Sequence, residues 1–196
     1  MSAALTIGVL SLQGGVAEHL AALARVDGVR GVPVSKASEL GSVDAIILPG
    51  GESTAIGRLL RDFGMADPLR ERIAAGLPAW GTCAGMILLA KDIDNDDRRH
   101  VGLMDISVRR NAYGGQLSSF DASAVIDGLG ERPFPLVFIR APVITRTGPA
   151  VEVLASLDGR AIACVQGAMA ATSFHPELTR DERFHRWFAA LARREA

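Results

Sequence analysis

The sequence predicts an α/β protein built on a doubly wound, mostly parallel β-sheet, with additional antiparallel strands in its second half. In the first half, short apolar segments bounded by glycine or proline alternate with segments that carry apolar residues at helical spacing. In the second half, short strand candidates follow one another with only turn residues between them. Alternation of strands and helices favours parallel pairing through right-handed crossovers, whereas directly connected strands favour antiparallel pairing.

The first half contains four predicted strands and four predicted helices. The strands are continuous apolar runs, as expected where both faces of a sheet are covered, at residues 5–12, 29–34, 44–51 and 77–82. Helices are predicted at 16–26, 54–64 and 67–76, and the apolar segment 84–92 is predicted to continue from the fourth strand as a buried helix.

The second half begins with a charged segment, 92–100, which is predicted to be a solvated loop. Its aspartates lack the glycine and the terminal glutamate of a calcium loop. The strand candidates that follow are 104–110, 135–142, 151–156, 161–167 and 168–174. A final helix is predicted at 180–194, where Phe184, Trp187, Phe188 and Leu191 form an apolar stripe. Since no linker or repeat interrupts the chain, residues 1–196 are predicted to form one domain.

Composition excludes several classes of function. The 196 residues are 48% hydrophobic with a net charge of -1 and no basic block, so a nucleic-acid partner is not expected. No apolar run reaches the ~20 residues of a membrane span and the start lacks a charged leader, so we expect a cytoplasmic protein. The two cysteines make no disulfide framework and neither has zinc-site spacing, so no metal is expected. Cys164 is predicted to be a core residue.

Cys83 lies in a turn that is typical of a nucleophile. Gly81, Cys83 and Gly85 form the cysteine version of the G-x-S-x-G elbow, at the carboxyl end of a predicted parallel strand. The two glycines allow the strand and the next helix to approach, and the helix N-terminus favours a thiolate over a thiol. A buried structural cysteine beside two packing glycines is the alternative interpretation of these five residues.

His175 and Glu177 are the predicted partners of that cysteine. Pro176 biases His175 towards an extended backbone, in which residues i and i+2 project to the same side. The carboxylate is then able to orient the imidazole, as in a catalytic triad. A polar turn that ends the last strand is the alternative. The other three histidines, His19, His100 and His185, are predicted to be solvated or half-packed.

An acyl-transfer site also needs donors for the oxygen that becomes negative. The N–H of Ala84 follows the nucleophile directly, and Gly50 and Gly51 end a neighbouring parallel strand, where their N–H groups can be exposed. Ser53 or Thr54 is predicted to cap the helix after this loop. We therefore predict an oxyanion hole formed by the N–H groups of Gly51 and Ala84.

The order of these elements resembles the class I, or triad, glutamine amidotransferases. Longer segments are similar to one group of them, the PdxT/SNO family of glutaminase subunits of pyridoxal 5'-phosphate synthase: "GVLSLQGGVAEH", "LPGGESTAIGRLL", "GTCAGMILLAK", "RRNAYGGQLSSF", "FIRAP" and "ATSFHPELT". The resemblance spans nearly the whole chain. It implies a flavodoxin-like fold of the class I glutamine amidotransferase type.

The resemblance also implies roles for individual residues. Cys83 would attack the side-chain amide of L-glutamine to form a γ-glutamyl thioester, with His175 as base and then acid and Glu177 as its orienter. The residues implied in L-glutamine binding are Gly51, Glu52, Ser53, Arg110, Ile139 and Arg140. Free glutamine carries an ammonium and a carboxylate, so a selective site is expected to offer both a glutamate and an arginine. From the residues alone, Arg110 and Arg140 would be surface charges at strand ends.

The resemblance implies that the ammonia released from glutamine passes to a separate (β/α)8-barrel synthase subunit in a hetero-oligomer. It also implies that docking of that subunit organises the oxyanion loop. Gln13, at the end of the first predicted strand, is the expected coupling residue. The resemblance implies no cofactor for the hydrolysis, since pyridoxal phosphate is the product of the assembly. Gly115 and Val165 depart from the family pattern, where an arginine and a polar residue are expected.

Three other functions compete with this one. A glutaminase that feeds histidine, purine or aromatic biosynthesis would share the triad but not "LQGGVAEH" or "RNAYGGQ". A thiol esterase or peptidase of the α/β-hydrolase type orders its triad as nucleophile, acid and histidine, whereas Glu177 follows His175 here. A non-catalytic glutamine sensor on the same fold would not need an intact Cys–His–Glu set.

Overall fold

The computed structural model describes residues 4–110 and 119–195. A seven-stranded sheet forms its centre, and its strands lie in the order β10 (Glu152–Leu157), β11 (Arg160–Gln166), β12 (Met169–Thr172), β4 (Ala79–Thr82), β3 (Ala45–Leu48), β1 (Leu5–Leu10) and β2 (Val29–Val34). Five neighbouring strands of this sheet, from β12 to β2, run parallel, and β10 and β11 are antiparallel to their neighbours.

Helices cover both faces of this sheet, which confirms the doubly wound prediction. The helices α1 (Val16–Leu23) and α5 (Arg183–Glu195) lie on one face, and α2 (Ser53–Asp62), α3 (Ala66–Ala74) and α4 (Ala84–Leu89) lie on the other. Strand β3 is a continuous apolar run because both of its faces are buried. Ala45 and Ile47 pack into the core on one face of the sheet, and Ile46 and Leu48 pack into the core on the other. No helix in the described ranges is both long and apolar enough to cross a bilayer.

Two smaller sheets are formed mainly by the second half of the chain. The first is β5 (Ala90–Ile93), β6 (Met104–Arg109) and β9 (Val143–Thr147), and the second is the antiparallel pair β7 (Ser119–Ala124) and β8 (Phe134–Ile139). The predicted antiparallel pairing is confirmed, since β6 with β9 and β7 with β8 are both antiparallel.

The helix predicted over 84–92 is wrong at its C-terminal end. Helix α4 ends at Leu89, and Ala90 begins a strand that pairs parallel with Met104 on β6. A short apolar run has no periodicity that separates a buried helix from a strand, so the change of structure at Leu89 left no mark in the sequence. Strands β7 and β9 are not predicted by the sequence: half of the residues of β7 are polar, and only the first two residues of β9, Val143 and Ile144, are buried and apolar.

The parallel strands β1, β3, β4 and β12 end at one edge of the sheet. The residues that follow them are the loop from Ser11 to Gly15, the P-G-G loop (residues 49–51), Cys83 and the segment that leads to His175. The topology therefore brings together the four segments that carry the predicted chemistry.

Candidate active site

Cys83 occupies the elbow between β4 and α4. Its backbone has φ +48° and ψ -102°, and its N–H donates to the carbonyl oxygen of Thr172 at 2.8 Å. A non-glycine residue in this region is strained by ~1–3 kcal/mol, a cost that is typical of functional turns. A methyl group on Gly81 would overlap the backbone of Gly85, and one on Gly85 would overlap the carbonyl oxygen of Leu48. The two glycines are thus required by close approach, as the sequence predicted.

His175 follows β12, and Glu177 lies behind it. The His175 N–H donates to the carbonyl oxygen of Val137 at 2.9 Å, which fixes the residue against β8. Its Nδ1 lies 2.7 Å from Oε1 of Glu177. The extended backbone predicted through this segment is wrong at Glu177: Pro176–Leu178 form a 3-10 turn with proline at its start. Proline is favoured at the first position of such a turn, and the turn still brings the two side chains together.

The electrostatics of this pair favour a protonated imidazole. Burial opposes the charging of His175, but hydrogen bonding to Cys83 and Glu177 outweighs burial and raises the pKa of His175 to about 10. Burial likewise acts to raise the pKa of Glu177, yet contacts with His19 and His175 hold that pKa below its ordinary value. A carboxylate and an imidazolium therefore lie next to each other beside the elbow.

A cavity of about 460 Å³ brings the predicted residues together. Cys83 and His175 both line it, while Glu177 is buried behind the imidazole. The other predicted residues that line it are Gln13, Gly51, Glu52, Ser53, Ala84, Arg110, Ile139 and Arg140. A larger cavity of about 530 Å³ is lined by three arginines, but no cysteine or histidine is among its described lining residues.

The loop from Ser11 to Gly15 packs directly on the P-G-G loop. The Gly15 N–H donates to the carbonyl oxygen of Gly50 at 3.0 Å, and Oε1 of Gln13 accepts from the Glu52 N–H at 2.9 Å. Gly51 lies between these contacts, and Ala84, as the first residue of α4, has an N–H with no acceptor inside its helix. The structure thus places both predicted oxyanion residues at the cavity.

Glu52 caps helix α2, so the prediction of Ser53 or Thr54 as the cap is wrong. Its two carboxylate oxygens accept from the N–H groups of Thr54 at 3.0 Å and Ala55 at 2.7 Å. Ser53 is already the first helical residue, and this shifts the cap position one residue towards the N-terminus. Sequence preference favours serine or threonine as the cap. The loop instead places the Glu52 carboxylate beside the free N–H groups at the start of α2.

The three remaining predicted binding residues also line the cavity. Nη1 of Arg110 donates to Oγ1 of Thr54 at 3.0 Å, and its Nη2 lies 3.2 Å from Oδ2 of Asp96. Ile139 ends β8, and its carbonyl oxygen accepts from the Cys83 thiol, with sulfur and oxygen 3.9 Å apart. Arg140 follows with φ +44°, in the left-handed region.

The structure corrects the prediction for two other histidines. His19 and His185 are fully buried rather than solvated, because α1 and α5 pack side by side on the sheet and enclose both rings. His100 is half-buried, as predicted. Cys164 is a buried core residue, and burial raises its pKa to about 12. Val165 is half-buried on β11, and Gly115 lies outside the described residues.

Sequence reasoning also overlooked Gly50 as a residue of the site. The sequence indicates this glycine only as a possible N–H donor. In the structure the His175 ring lies directly over its Cα. The glycine pair at the end of a strand was a signal of close approach, but the identity of the approaching group could not be read from it.

Comparison with known proteins agrees with this geometry. The SNO glutamine amidotransferase family matches residues 9–193. A protein named pyridoxal 5'-phosphate synthase subunit PdxT from Ruminiclostridium cellulolyticum is 52% identical over 94% of this chain and 98% of its own length. One of the same name from Acidothermus cellulolyticus is 50% identical over 97% and 95%. A crystal structure of a glutamine amidotransferase superposes with a TM-score of 0.90 at 47% identity, covering 95% of this chain and 98% of its own.

Proposed function

This chain belongs to the SNO glutamine amidotransferase family, and on that premise we propose that Cys83, His175 and Glu177 form its catalytic triad. The chain is a glutaminase, the glutamine-hydrolysing subunit of a pyridoxal 5'-phosphate synthase, like relatives that are about half identical to it over most of their length. The observation that carries the triad is the strained elbow at Cys83, which opens on the same cavity as a His175 held by Glu177.

In the proposed reaction, the Cys83 thiolate attacks the side-chain amide carbon of L-glutamine. The amide oxygen becomes negative and is stabilised by the N–H groups of Gly51 and Ala84. The tetrahedral intermediate collapses as the His175 imidazolium gives its proton to the nitrogen, and ammonia leaves. A γ-glutamyl thioester remains on Cys83.

The second half of the reaction reverses these proton movements. Neutral His175 takes a proton from water, and the resulting hydroxide attacks the thioester carbonyl. The carbon–sulfur bond breaks, glutamate is released, and the thiolate is restored beside a protonated His175. Glu177 stays ionised throughout and holds the imidazole by its 2.7 Å contact with Nδ1.

Recognition of glutamine is proposed for the residues around the cavity. Arg110, fixed by Asp96 and Thr54, is placed to pair with the substrate carboxylate. The carboxylate of Glu52 is placed for the ammonium, since each of its oxygens keeps a free lone pair after capping α2. Ser53, Ile139 and Arg140 complete the wall.

A synthase subunit completes the assembly, and we propose that it is a (β/α)8 barrel that accepts the ammonia. Gln13 is the proposed coupling residue, because its side chain holds the Glu52 N–H next to Gly51. A partner surface that moves Gln13 would therefore reorient the peptide of the oxyanion loop. We further propose that residues 1–196 form one glutaminase domain and that it works in the cytoplasm, as predicted from the sequence.

Ammonia release by the assembled synthase tests the triad. Cys83→Ala should abolish glutamine hydrolysis while thermal unfolding and co-purification with the barrel subunit stay unchanged. The electrophilic glutamine analogue 6-diazo-5-oxo-L-norleucine should add one adduct at Cys83 and none at the buried Cys164. Normal turnover in Cys83→Ala, or an adduct confined to Cys164, would refute the assignment.

A further inference from the structure

Glu177 uses only one of its two carboxylate oxygens to hold His175. Oε1 lies 2.7 Å from the imidazole, but Oε2 has no hydrogen-bond partner among the described residues. The side chain is 1% exposed. A buried carboxylate oxygen without a donor is costly, so the neighbour that faces it needs an explanation.

That neighbour is His19, on helix α1. Its Nε2 lies 3.5 Å from Oε2 of Glu177 and 3.2 Å from Oγ1 of Thr82, the residue before the nucleophile. Its Nδ1 lies 3.1 Å from Nε2 of His185 on α5. The edge of its ring meets Trp80 at a centroid distance of 5.5 Å. Packing on all sides thus fixes the orientation of the ring.

The contacts select one protonation state for this pair of histidines. Burial lowers the pKa of His19 and holds that of His185 well below its ordinary value; this favours neutral rings, although the charge of Glu177 acts in the opposite direction on His19. With the proton of His19 on Nε2, this N–H faces the two oxygens, and Nδ1 accepts from the Nε2–H of His185. The other tautomer would turn a lone pair of His19 towards a carboxylate.

We propose that His19 is a positioning residue of the triad, whose Nε2–H is shared between Thr82 and the second oxygen of Glu177. The carboxylate is then held at both oxygens, by His175 on one side and by His19 on the other. This inference rests on the triad proposed above. It extends the site from the sheet edge into the space between α1 and α5.

Loss of this donor should change the pH dependence of hydrolysis. A buried carboxylate that loses a donor becomes easier to protonate, so the acid limb of the kcat profile should move to higher pH. The carboxylate would then be held at one oxygen only, so its 2.7 Å contact with the His175 imidazolium would be less well aligned and the alkaline limb should move to lower pH. The charged or titratable groups around His19 are Glu177, His175, His185 and Glu18, with Arg25 facing His185.

A matched pair of variants separates positioning from mere core packing. In His19→Gln the side-chain amide lies near the place of Nε2 and can still donate to Glu177. In His19→Asn the shorter amide lies near the place of Nδ1, so it faces His185 and leaves Glu177 without a donor. Both variants are neutral, polar and smaller than histidine, and thermal unfolding of each shows the packing cost of the one methylene by which they differ.

Each variant is assembled with the barrel subunit, and kcat, KM and the pH profile are measured for ammonia release beside the unchanged protein. His19→Gln should keep kcat within about 3-fold, whereas His19→Asn should lose about 10- to 100-fold, with little change in KM. The Asn variant alone should show a narrowed pH profile. Cys83→Ala, measured in the same assay, tests the triad itself, so the two proposals fail separately.

Equal losses in both variants with unshifted pH limbs would overturn the proposal and leave His19 a packing residue. If His19→Asn does not fold, Thr82→Val decides the matter, because this nearly isosteric change removes the competing acceptor. The N–H of His19 is then donated to Glu177 alone, and the acid limb should move to lower pH. An unchanged or raised acid limb in Thr82→Val would also overturn the proposal.

Discussion

Replacement of Gly50 by alanine should disable catalysis without unfolding the protein. Gly50 does not have a positive φ, so its backbone accepts an alanine. A methyl group at this position would lie 2.8 Å from Nδ1 of His175 and closer still to Cε1 of the same ring. It would lie 3.5 Å from Cβ of Cys83, which is an ordinary contact. The imidazole, not the nucleophile, must therefore give way.

The size of the effect follows from this overlap. Carbon atoms pack comfortably at about 3.5–4.0 Å, so the ring has to retreat by roughly 1 Å. The 2.7 Å contact between Nδ1 and Glu177 does not survive such a shift in its present alignment. A misplacement of about 1 Å in a catalytic group costs ~100-fold, so kcat should fall by at least that factor. The free energy of unfolding should fall by only about 1–3 kcal/mol, as for other overpacked sites.

The assay is glutamine-dependent ammonia release by the assembled synthase, with thermal unfolding measured in parallel. Gly41→Ala is the matched control, because a methyl group there meets nothing within 4 Å and the residue has no positive φ. It should leave kcat and the unfolding midpoint unchanged. A folded Gly50→Ala with kcat within about 3-fold of the unchanged protein would refute the placement of His175 over Gly50.

Three further predictions concern single functions of the site. Glu177→Gln removes the charge that supports the imidazolium, so the pKa of His175 should fall from about 10, the alkaline limb should move to lower pH, and kcat should drop by ~10³–10⁴-fold. Glu52→Ala removes the cap of α2 and should lower the free energy of unfolding by ~1 kcal/mol in a denaturant titration, together with a raised KM. Arg110→Ala should raise KM for glutamine by at least ~10-fold with a smaller change in kcat, because it removes a charge-assisted hydrogen bond to the substrate carboxylate. An unchanged KM would show that Arg110 does not bind the substrate.

Much of the fold was predictable because its first half follows simple periodicities. Continuous apolar runs such as Ala45–Leu48 are buried on both faces, and glycine or proline marks their ends. The errors lie where the apolar pattern is short or weak. The change from helix to strand after Leu89 falls inside one apolar run, and the strand Ser119–Ala124 alternates polar residues with one phenylalanine and two alanines, so its pairing with Phe134–Ile139 defines it more clearly than its own sequence does.

The site was predictable to the extent that its chemistry needs fixed residue types at fixed spacing. The elbow around Cys83 and the pairing of His175 with Glu177 are of this kind, although the backbone between the latter two is a 3-10 turn rather than extended. The burial of His19 and His185 was not predictable in this way. Their contact joins two helices 166 residues apart along the chain, and neither helix carries a pattern that names its neighbour.

The two cysteines show how environment rather than residue type decides chemistry in this protein. Cys164 is fully buried within β11, where burial alone raises its pKa to about 12, so its sulfur stays protonated and inert. Cys83 is nearly as buried, at 6% exposed, but it stands at the start of a helix and beside an imidazole whose charge is supported by Glu177. One cysteine side chain therefore lies beside an imidazolium, whereas the other lies inside the core, where burial is the cause of its raised pKa. Because that cation depends on Glu177, which does not line the cavity, the reactivity proposed for Cys83 would depend on a side chain that does not touch the substrate.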